Sequence, residues 1–290
     1  MICDLHTHSI HSDGTDTPAQ LIAQAKDLGL SVIALTDHNT VAGLADFLRE
    51  AETQGVTALG GTELSCSHED KEFHLLGLFI QPQYYKKVER LAKEFHVLKE
   101  ISNIELVERL NAAGYQIDYA NVKKRNPGGN ANRAHVAAEL LDHGYVTSVA
   151  EAFATILSDD YGFYVQPQRL LLTDAIAFLR EIHALPVLAH PLKDIDADTL
   201  IRLLPQLIDA GLQGIETMHS SYSVEDIRIS KEIAHDFHLL ESGGSDYHGA
   251  VKPDVRMGSG KDNLAIPSEI YNALLHRRNQ LYGDKERSAP

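Results

Sequence analysis

Short apolar runs alternating with amphipathic stretches set the strongest limit on how this chain can fold. Ile2 to His8 reads as a strand. Thr17-Pro18-Ala19-Gln20 then opens a helix with an N-cap, a proline at its first position and a glutamine that closes a capping box. Ser31 to Thr36 is a second apolar strand, followed by a helix that Asn39-Thr40 caps and that ends near Gly55. Thr57 to Ser65, Glu72 to Ile80, Pro186 to His190, Gly214 to His219 and Leu239 to Gly243 read as further strands. Continuous apolar strands separated by amphipathic helices predict a parallel sheet buried on both faces. A chain of 290 residues can bury such a core in one main domain.

Between about Tyr84 and Tyr164 the strand rhythm stops. Leu91 to Ala113 is helical and amphipathic, Asn126 to Asn130 is a turn, and Asn132 to Leu141 and Ser148 to Leu157 are shorter helices. The predicted organisation is a main domain over residues 1–97 and 166–290, with a helical insertion over 98–165 lying across its mouth as a substrate cap. Asp284 to Pro290 reads as a loose tail.

The chemistry-bearing residues fall at or just after the C-terminal ends of the predicted strands: His6 and His8, Asp37 and His38, Glu63, His74, His190, Asp246 and His248. Two imidazoles at i and i+2 on a strand point to one face, so His6 and His8 can close on a single metal ion. In α/β barrels, strand ends carry sequence-distant side chains into one mouth. Imidazole and carboxylate donors without thiolates suit Mn²⁺, Fe²⁺ or Zn²⁺. Cys3 and Cys66 lack metal-ligand spacing and read as reduced, buried thiols.

The balance of 26 Lys+Arg against 41 Asp+Glu gives a net charge of −15, which disfavours adhesion to duplex DNA or to an anionic membrane. The first residues hold no basic segment leading into an apolar one, and no run approaches the roughly 20 apolar residues that span a bilayer. A soluble, cytoplasmic protein with no obligatory protein partner is expected.

Several blocks match a known family. Asp4-Leu5-His6-Thr7-His8-Ser9 with Ser12-Asp13-Gly14, Leu35-Thr36-Asp37-His38-Asn39-Thr40, Gly61-Thr62-Glu63, Phe73-His74-Leu75-Leu76-Gly77, Leu188-Ala189-His190-Pro191 and Gly244-Ser245-Asp246-Tyr247-His248-Gly249 resemble the polymerase and histidinol phosphatase family of phosphoesterases. The order runs from residue 2 to about 260. Among its branches the chain looks most like the short stand-alone enzymes that remove phosphate from nucleoside 3′,5′-bisphosphates and carry the same helical insertion.

The resemblance implies an α/β fold, a distorted seven-stranded TIM-like barrel, and three divalent metal ions, with manganese expected and iron or zinc as alternatives. It places the first metal on His6, His8, Glu63 and Asp246, the second on Glu63, His74 and His190, and the third on Asp13, His38 and His248. Within that set it gives Asp13, His38, Glu63, His190, Asp246 and His248 the catalytic role. Three such cations against three ligating carboxylates leave a local excess of about three positive charges, so an acidic chain acquires a cationic mouth. There a phosphate ester can bridge the metals while a hydroxide formed at neutral pH attacks phosphorus in line.

Asn132-Arg133-Ala134-His135 resembles the arginine and histidine pair that members of the family present to the substrate phosphate, and the planar fork of Arg133 can hold two phosphate oxygens. Ser220, after the Gly214 to His219 strand, is a third substrate candidate, with loop capping as its ordinary alternative; Lys193 and Lys252 are weaker ones. Asp37 reads either as a carboxylate orienting a ligand or as an acceptor for loop amides. The remaining histidines, His11, His68, His96, His143, His183, His219, His235, His238 and His276, are taken as structural or surface groups.

The expected activity is hydrolysis of a phosphomonoester on a small nucleotide. The alternatives are a 5′-to-3′ exonuclease on short RNA, a histidinol-phosphate or other small phosphomonoesterase, and an amidohydrolase. The last needs a metal-bridging lysine where this chain has Glu63. A non-catalytic metal-stabilised module is a further alternative, set against the complete ligand set.

Overall fold

The computed structural model describes residues 1–69, 71–125, 131–158, 161–164, 167 and 169–283. The expected turn at Asn126 to Asn130 and the tail from Asp284 lie outside the described residues. Seven strands run in sheet order β1 (Cys3–Asp4), β2 (Val32–Leu35), β3 (Ala58–His68), β4 (Lys71–Leu78), β5 (Leu185–Leu188), β6 (Gly214–His219) and β7 (Leu240–Gly244). The first and last strands also meet. Leu5 N–H donates to the Gly243 carbonyl at 3.1 Å, Asp246 N–H to that of His6 at 2.9 Å and His8 N–H to that of Tyr247 at 2.9 Å. The sheet is therefore a nearly closed, TIM-like barrel.

The first helix, α1 (Pro18–Asp27), begins as its sequence predicts: Gln20 N–H donates to Thr17 Oγ1 at 3.2 Å and Thr17 N–H to Gln20 Oε1 at 2.8 Å. The second, α2 (Leu44–Gln54), ends at Gly55 in the left-handed conformation but starts after Gly43, later than Asn39-Thr40 suggests. Asn39 is committed elsewhere, because its amide spans to β3, donating to Ser65 Oγ and accepting from Ser65 N–H.

The sheet is mixed, which corrects the all-parallel expectation. From Gly61↔Leu78 to His68↔Lys71 β4 pairs antiparallel to β3, and it pairs antiparallel to β5 as well. Only two residues join β3 to β4, too few for the crossover that a parallel neighbour requires. The first strand is also shorter than Ile2 to His8. Beyond Asp4 the backbone serves both neighbours, Thr7 O accepting from Thr36 N–H on one side while Leu5 and His8 bond the β7 side.

The chain divides into two compact units, residues 1–90 with 170–290, and residues 91–169. The long helix α3 (Tyr85–Ala112) crosses that division, starting before the expected Leu91. The second unit continues with α4 (Tyr119–Lys124), α5 (Arg133–Asp142) and α6 (Val149–Ala154), and packs its own core of Leu106, Leu110, Val136, Leu140 and Leu157. In the first unit Cys3, Leu5, Val32, Ala34, Leu76, Val187 and Ile266 fill the barrel. Around it lie α7 (Leu172–Glu181), the short α8 (Pro191–Asp194), α9 (Ala197–Ala210), α10 (Val224–Asp236) and α11 (Ser268–Tyr282). Among the described residues no helix is long and apolar enough to cross a membrane.

Barrel closure demands a residue without a side chain at Gly244. A Cβ there would lie 2.1 Å from the Cβ of His6 and 2.6 Å from its backbone nitrogen, both far inside van der Waals contact. Gly244→Ala is expected to cost more than about 3 kcal/mol and to lower the melting temperature by about 6 °C or more. An unchanged thermal melt would show that the first and last strands can part here without penalty.

Candidate metal centre

Glu63 is the hub. Its side chain is 1% exposed, and its Oε2 lies 3.1 Å from His6 Nε2, 3.2 Å from His8 Nε2 and 3.1 Å from His38 Nδ1. Its Oε1 lies 2.9 Å from His74 Nδ1 and 3.1 Å from His190 Nε2. Asp246 Oδ1 faces His8 Nε2 at 3.3 Å and His6 Nε2 at 3.7 Å. Exposed Asp13 stands on the open side, with Oδ1 3.2 Å from His248 Nε2 and Oδ2 3.8 Å from His38 Nε2. The nine residues expected from sequence as ligands thus fall into three overlapping groups: His6, His8, Glu63 and Asp246; His38, Glu63 and His74, with His190 on the same carboxylate; and His8, Asp13, His38 and His248.

The polar atoms of the cluster suit a cation. His6 Nε2, His8 Nε2, His38 Nδ1, His74 Nδ1 and Glu63 Oε2 are buried and lack a hydrogen-bond partner of acceptable geometry. Buried polar atoms are normally satisfied, so several orphans converging on one carboxylate mark a place built for a positive ion. Nitrogen and oxygen donors of this kind suit a divalent first-row metal.

The strands explain the convergence. His6 and His8 share one face of the extended segment after β1, His38 follows β2, His190 follows β5, and Asp246 and His248 follow β7. Glu63 and His74 do not follow strands, contrary to the reading that every ligand sits at a strand C-terminus. Glu63 lies within β3, which runs on past the rim as a hairpin. His74 lies in the first half of β4 because a reversed strand brings its N-terminal half to the shared mouth. His190 (φ 29°) and Asp246 (φ 57°) both occupy left-handed backbone conformations, a strain non-glycine residues accept only where the surroundings impose it.

A second layer holds the first. Asp37 accepts from Ser9 N–H at 2.7 Å, Ser9 Oγ at 2.6 Å and Ser12 Oγ at 2.6 Å, and Ser12 Oγ stands 3.4 Å from His8 Nδ1. It therefore ties down the loop after His8 and reaches that ligand through a serine. Buried Asp4, which sequence reasoning passed over, accepts from Ser245 N–H, Ser245 Oγ and Gly258 N–H and so anchors the loop bearing Asp246. Lys252 Nζ lies 2.7 Å from Asp246 Oδ2.

Two further residues were missed. Glu216 and His219 join His190 in a fourth buried cluster, although a pair three apart on a strand should face opposite sides. A bulge between Glu216 and Met218 inserts one residue into the register and turns both inward. The available signal was a charged residue within an otherwise apolar, fully buried strand, which demands a partner. Ser220 is buried, its carbonyl accepting from Asn263 Nδ2 at 3.3 Å. Arg133 and His135 lie in the second unit. There the Arg133 guanidinium sits 4.2 Å from the Tyr164 ring centre, and His135 Nδ1 accepts from Asn132 N–H in the cap of α5.

Electrostatics separates the imidazoles. Burial works against charge on His74, but the Glu63 and Glu72 carboxylates outweigh it and raise its pKa to about 10. At His38 burial dominates and lowers the pKa to about 4 despite Glu63. Burial would raise the pKa of Glu63, yet His38, His6 and His74 hold its carboxyl well below the usual range. A cation can bind His74 only after its proton leaves, so metal affinity falls as pH is lowered. In chelator-stripped protein near neutral pH, nitrogen NMR of the imidazoles is expected to find His74 doubly protonated and His38 neutral. A neutral His74 would contradict the field assigned to the two carboxylates.

Comparison with known proteins matches residues 4–162 to the PHP domain. The chain belongs to the PHP domain family. It is 32% identical over 261 residues, 86% of its own length and 95% of the other's, to a phosphoribosyl 1,2-cyclic phosphate 1,2-diphosphodiesterase of Eggerthella lenta. It is 30% identical over 280 residues, 93% and 95% of the two chains, to a 3′,5′-nucleoside bisphosphate phosphatase of Chromobacterium violaceum. Identity to a 5′-3′ exoribonuclease of Haemophilus influenzae is 28% over 246 residues, 84% and 89% of the two chains. Among solved structures it resembles a protein of Bifidobacterium adolescentis assigned as a metal-dependent phosphoesterase (TM-score 0.71, 27% identity, 95% and 96% of the two chains). It also resembles a Chromobacterium violaceum protein described as an amidohydrolase (TM-score 0.72, 29% identity, 96% and 97%). This PHP domain protein is a metal-dependent phosphoric ester hydrolase.

Proposed function

We propose that the enzyme removes a phosphate from a nucleoside 3′,5′-bisphosphate, with three divalent cations, manganese foremost, held by the nine residues around Glu63. The observation that carries this reading is the set of orphaned imidazole nitrogens facing a single buried carboxylate. His6, His8, Glu63 and Asp246 would hold the first cation, Glu63, His74 and His190 the second, and Asp13, His38 and His248 the third. Such cations supply Lewis acidity toward phosphoryl oxygens and make water acidic enough to react at neutral pH.

The chain's own groups set the rest. Glu63 offers one oxygen to each of two groups of imidazoles, so it fixes their separation. Asp246 presents Oδ1 inward while Lys252 holds Oδ2, leaving a cationic side chain beside the mouth for an anionic substrate. Arg133 is proposed to grip a substrate phosphate through its planar fork, with His135 beside it in sequence and Ser220 as a further contact. The buried cysteines Cys3 and Cys66, free of any disulfide, fit a cytoplasmic enzyme.

Similarity to the nucleoside bisphosphate phosphatase along nearly the whole chain supports the substrate class. Similarity to the exoribonuclease favours short RNA as the second reading. The deciding experiment is a turnover screen with Mn²⁺, reading both released phosphate and released mononucleotide, against nucleoside bisphosphates, short 5′-phosphorylated RNA, a phosphoribosyl cyclic phosphate and histidinol phosphate. Nucleoside bisphosphates are expected to turn over fastest, and no phosphate release from any of them would overturn the proposal.

Two substitutions test its parts. Glu63→Gln should abolish turnover and lower the bound metal by more than one equivalent while the fold persists; elemental analysis showing full metal content would contradict the bridging role. Arg133→Ala should lower kcat/KM by roughly 30-fold, the loss of about 2 kcal/mol for a charged contact. Unchanged kinetics would return Arg133 to a purely structural place over Tyr164.

A further inference from the structure

Glu216 is fully buried in β6, next to the centre but outside the nine-residue set. Both of its oxygens are engaged. Oε1 lies 3.0 Å from His6 Nδ1, and Oε2 accepts the backbone N–H of His190 at 2.8 Å. From these contacts we infer that Glu216 is a positioning residue that orients two metal ligands from behind, one through its ring and one through its backbone.

The contact to the ring selects a tautomer. An ionised carboxylate can only accept, so Glu216 keeps a hydrogen on His6 Nδ1 and leaves Nε2 as the ring atom available to a cation. That Nε2 is the atom facing Glu63 Oε2 at 3.1 Å and Asp246 Oδ1 at 3.7 Å. A carboxylate behind a ligating imidazole fixes ring orientation and strengthens it as a donor.

The contact to the backbone holds a strained residue. His190 precedes Pro191, which drives a residue toward extended conformations, yet His190 sits at φ 29° and ψ 48°. Its amide points at Glu216 Oε2 and its ring Nε2 at Glu63 Oε1, 3.1 Å away. The carboxylate thus pins the amide of the residue whose ring reaches the centre.

A rival reading takes His190, Glu216 and His219 as a fourth cation site, since their donor atoms lie close enough together. Geometry argues against it. Neither Glu216 oxygen is left without a donor, His219 Nδ1 already accepts from Ser221 N–H at 3.2 Å, and its buried, unpartnered Nε2 faces Asp246 Oδ2 of the nine-residue set at 3.4 Å.

This inference rests on the metal reading of the site, and the two can fail separately. Mn²⁺ binding is measured by calorimetry and elemental analysis on wild type and on Glu216→Gln, whose amide cannot accept from both partners at once. The expected result is an unchanged far-ultraviolet circular dichroism spectrum, a Kd for Mn²⁺ raised about 10- to 100-fold, and turnover recovered by added Mn²⁺. Equal affinity and stoichiometry in the variant would overturn the role of Glu216 and leave the metal reading intact. Wild type that binds no metal would overturn both.

Should the variant fail to fold, wild-type protein with labelled histidines and diamagnetic Zn²⁺ still decides. Long-range proton–nitrogen NMR is expected to find His6 protonated at Nδ1 and metal-bound at Nε2. A His6 Nδ1 without a hydrogen would overturn the role of Glu216, and a fourth equivalent of Zn²⁺ bound by the wild type with His219 as a ligand would establish the rival site instead.

Discussion

A carboxylate that is 1% exposed and surrounded by five imidazole nitrogens at 2.9 to 3.2 Å is the constraint on which the rest of this molecule depends. Burying Glu63 in an apolar barrel alone would be prohibitive, since a charge without partners strongly resists desolvation. The imidazoles answer that cost, but they come from four separate stretches of chain. Each stretch must therefore reach the same end of the barrel, and closure between the segment after β1 and the segment after β7 makes this possible. Gly244, pressed against His6, is where that closure leaves no room for a side chain.

Strand direction matters as much as closure. A barrel of parallel strands offers its mouth only C-terminal ends, with one or two side chains from each. Reversing β4 changes this, because the β3–β4 hairpin extends beyond the rim and supplies Glu63 and His74 from strand interiors. Ligands set in a hydrogen-bonded ladder are held more firmly than ligands on loops. The loop ligands His190 and Asp246 are fixed by other means: each has a strained backbone whose amide is captured, by Glu216 and by the His6 carbonyl respectively.

Behind the ligands stand three buried carboxylates, Asp4, Asp37 and Glu216, each taking several hydrogen bonds. None lines the mouth. Burial pushes the Asp4 carboxyl upward, opposed by its bonds to Ser245 and Gly258. At Glu216 the balance falls the other way, with burial outweighed chiefly by His6. An acidic chain thus keeps negative charge behind and around its imidazoles, a setting that favours cations and, once they are bound, an anionic phosphate ester.

Much of this was written in local patterns. Thr17-Pro18-Ala19-Gln20 specifies the start of α1, Gly55 the end of α2, and His6-Thr7-His8 a paired ligand, because capping and alternation depend on residues only a few positions apart. The family blocks carry the nine candidate ligands for the same reason: each block is a contiguous stretch. The reversal of β4, the bulge that turns Glu216 and His219 to one side, and the partners of Asp4 depend on residues up to 254 positions apart. Those pairings are chosen by packing of the closed barrel, where a burial requirement at one strand is met by a donor on another. Local sequence determined which residues could serve, and the tertiary fold alone decided which of them stand behind the others.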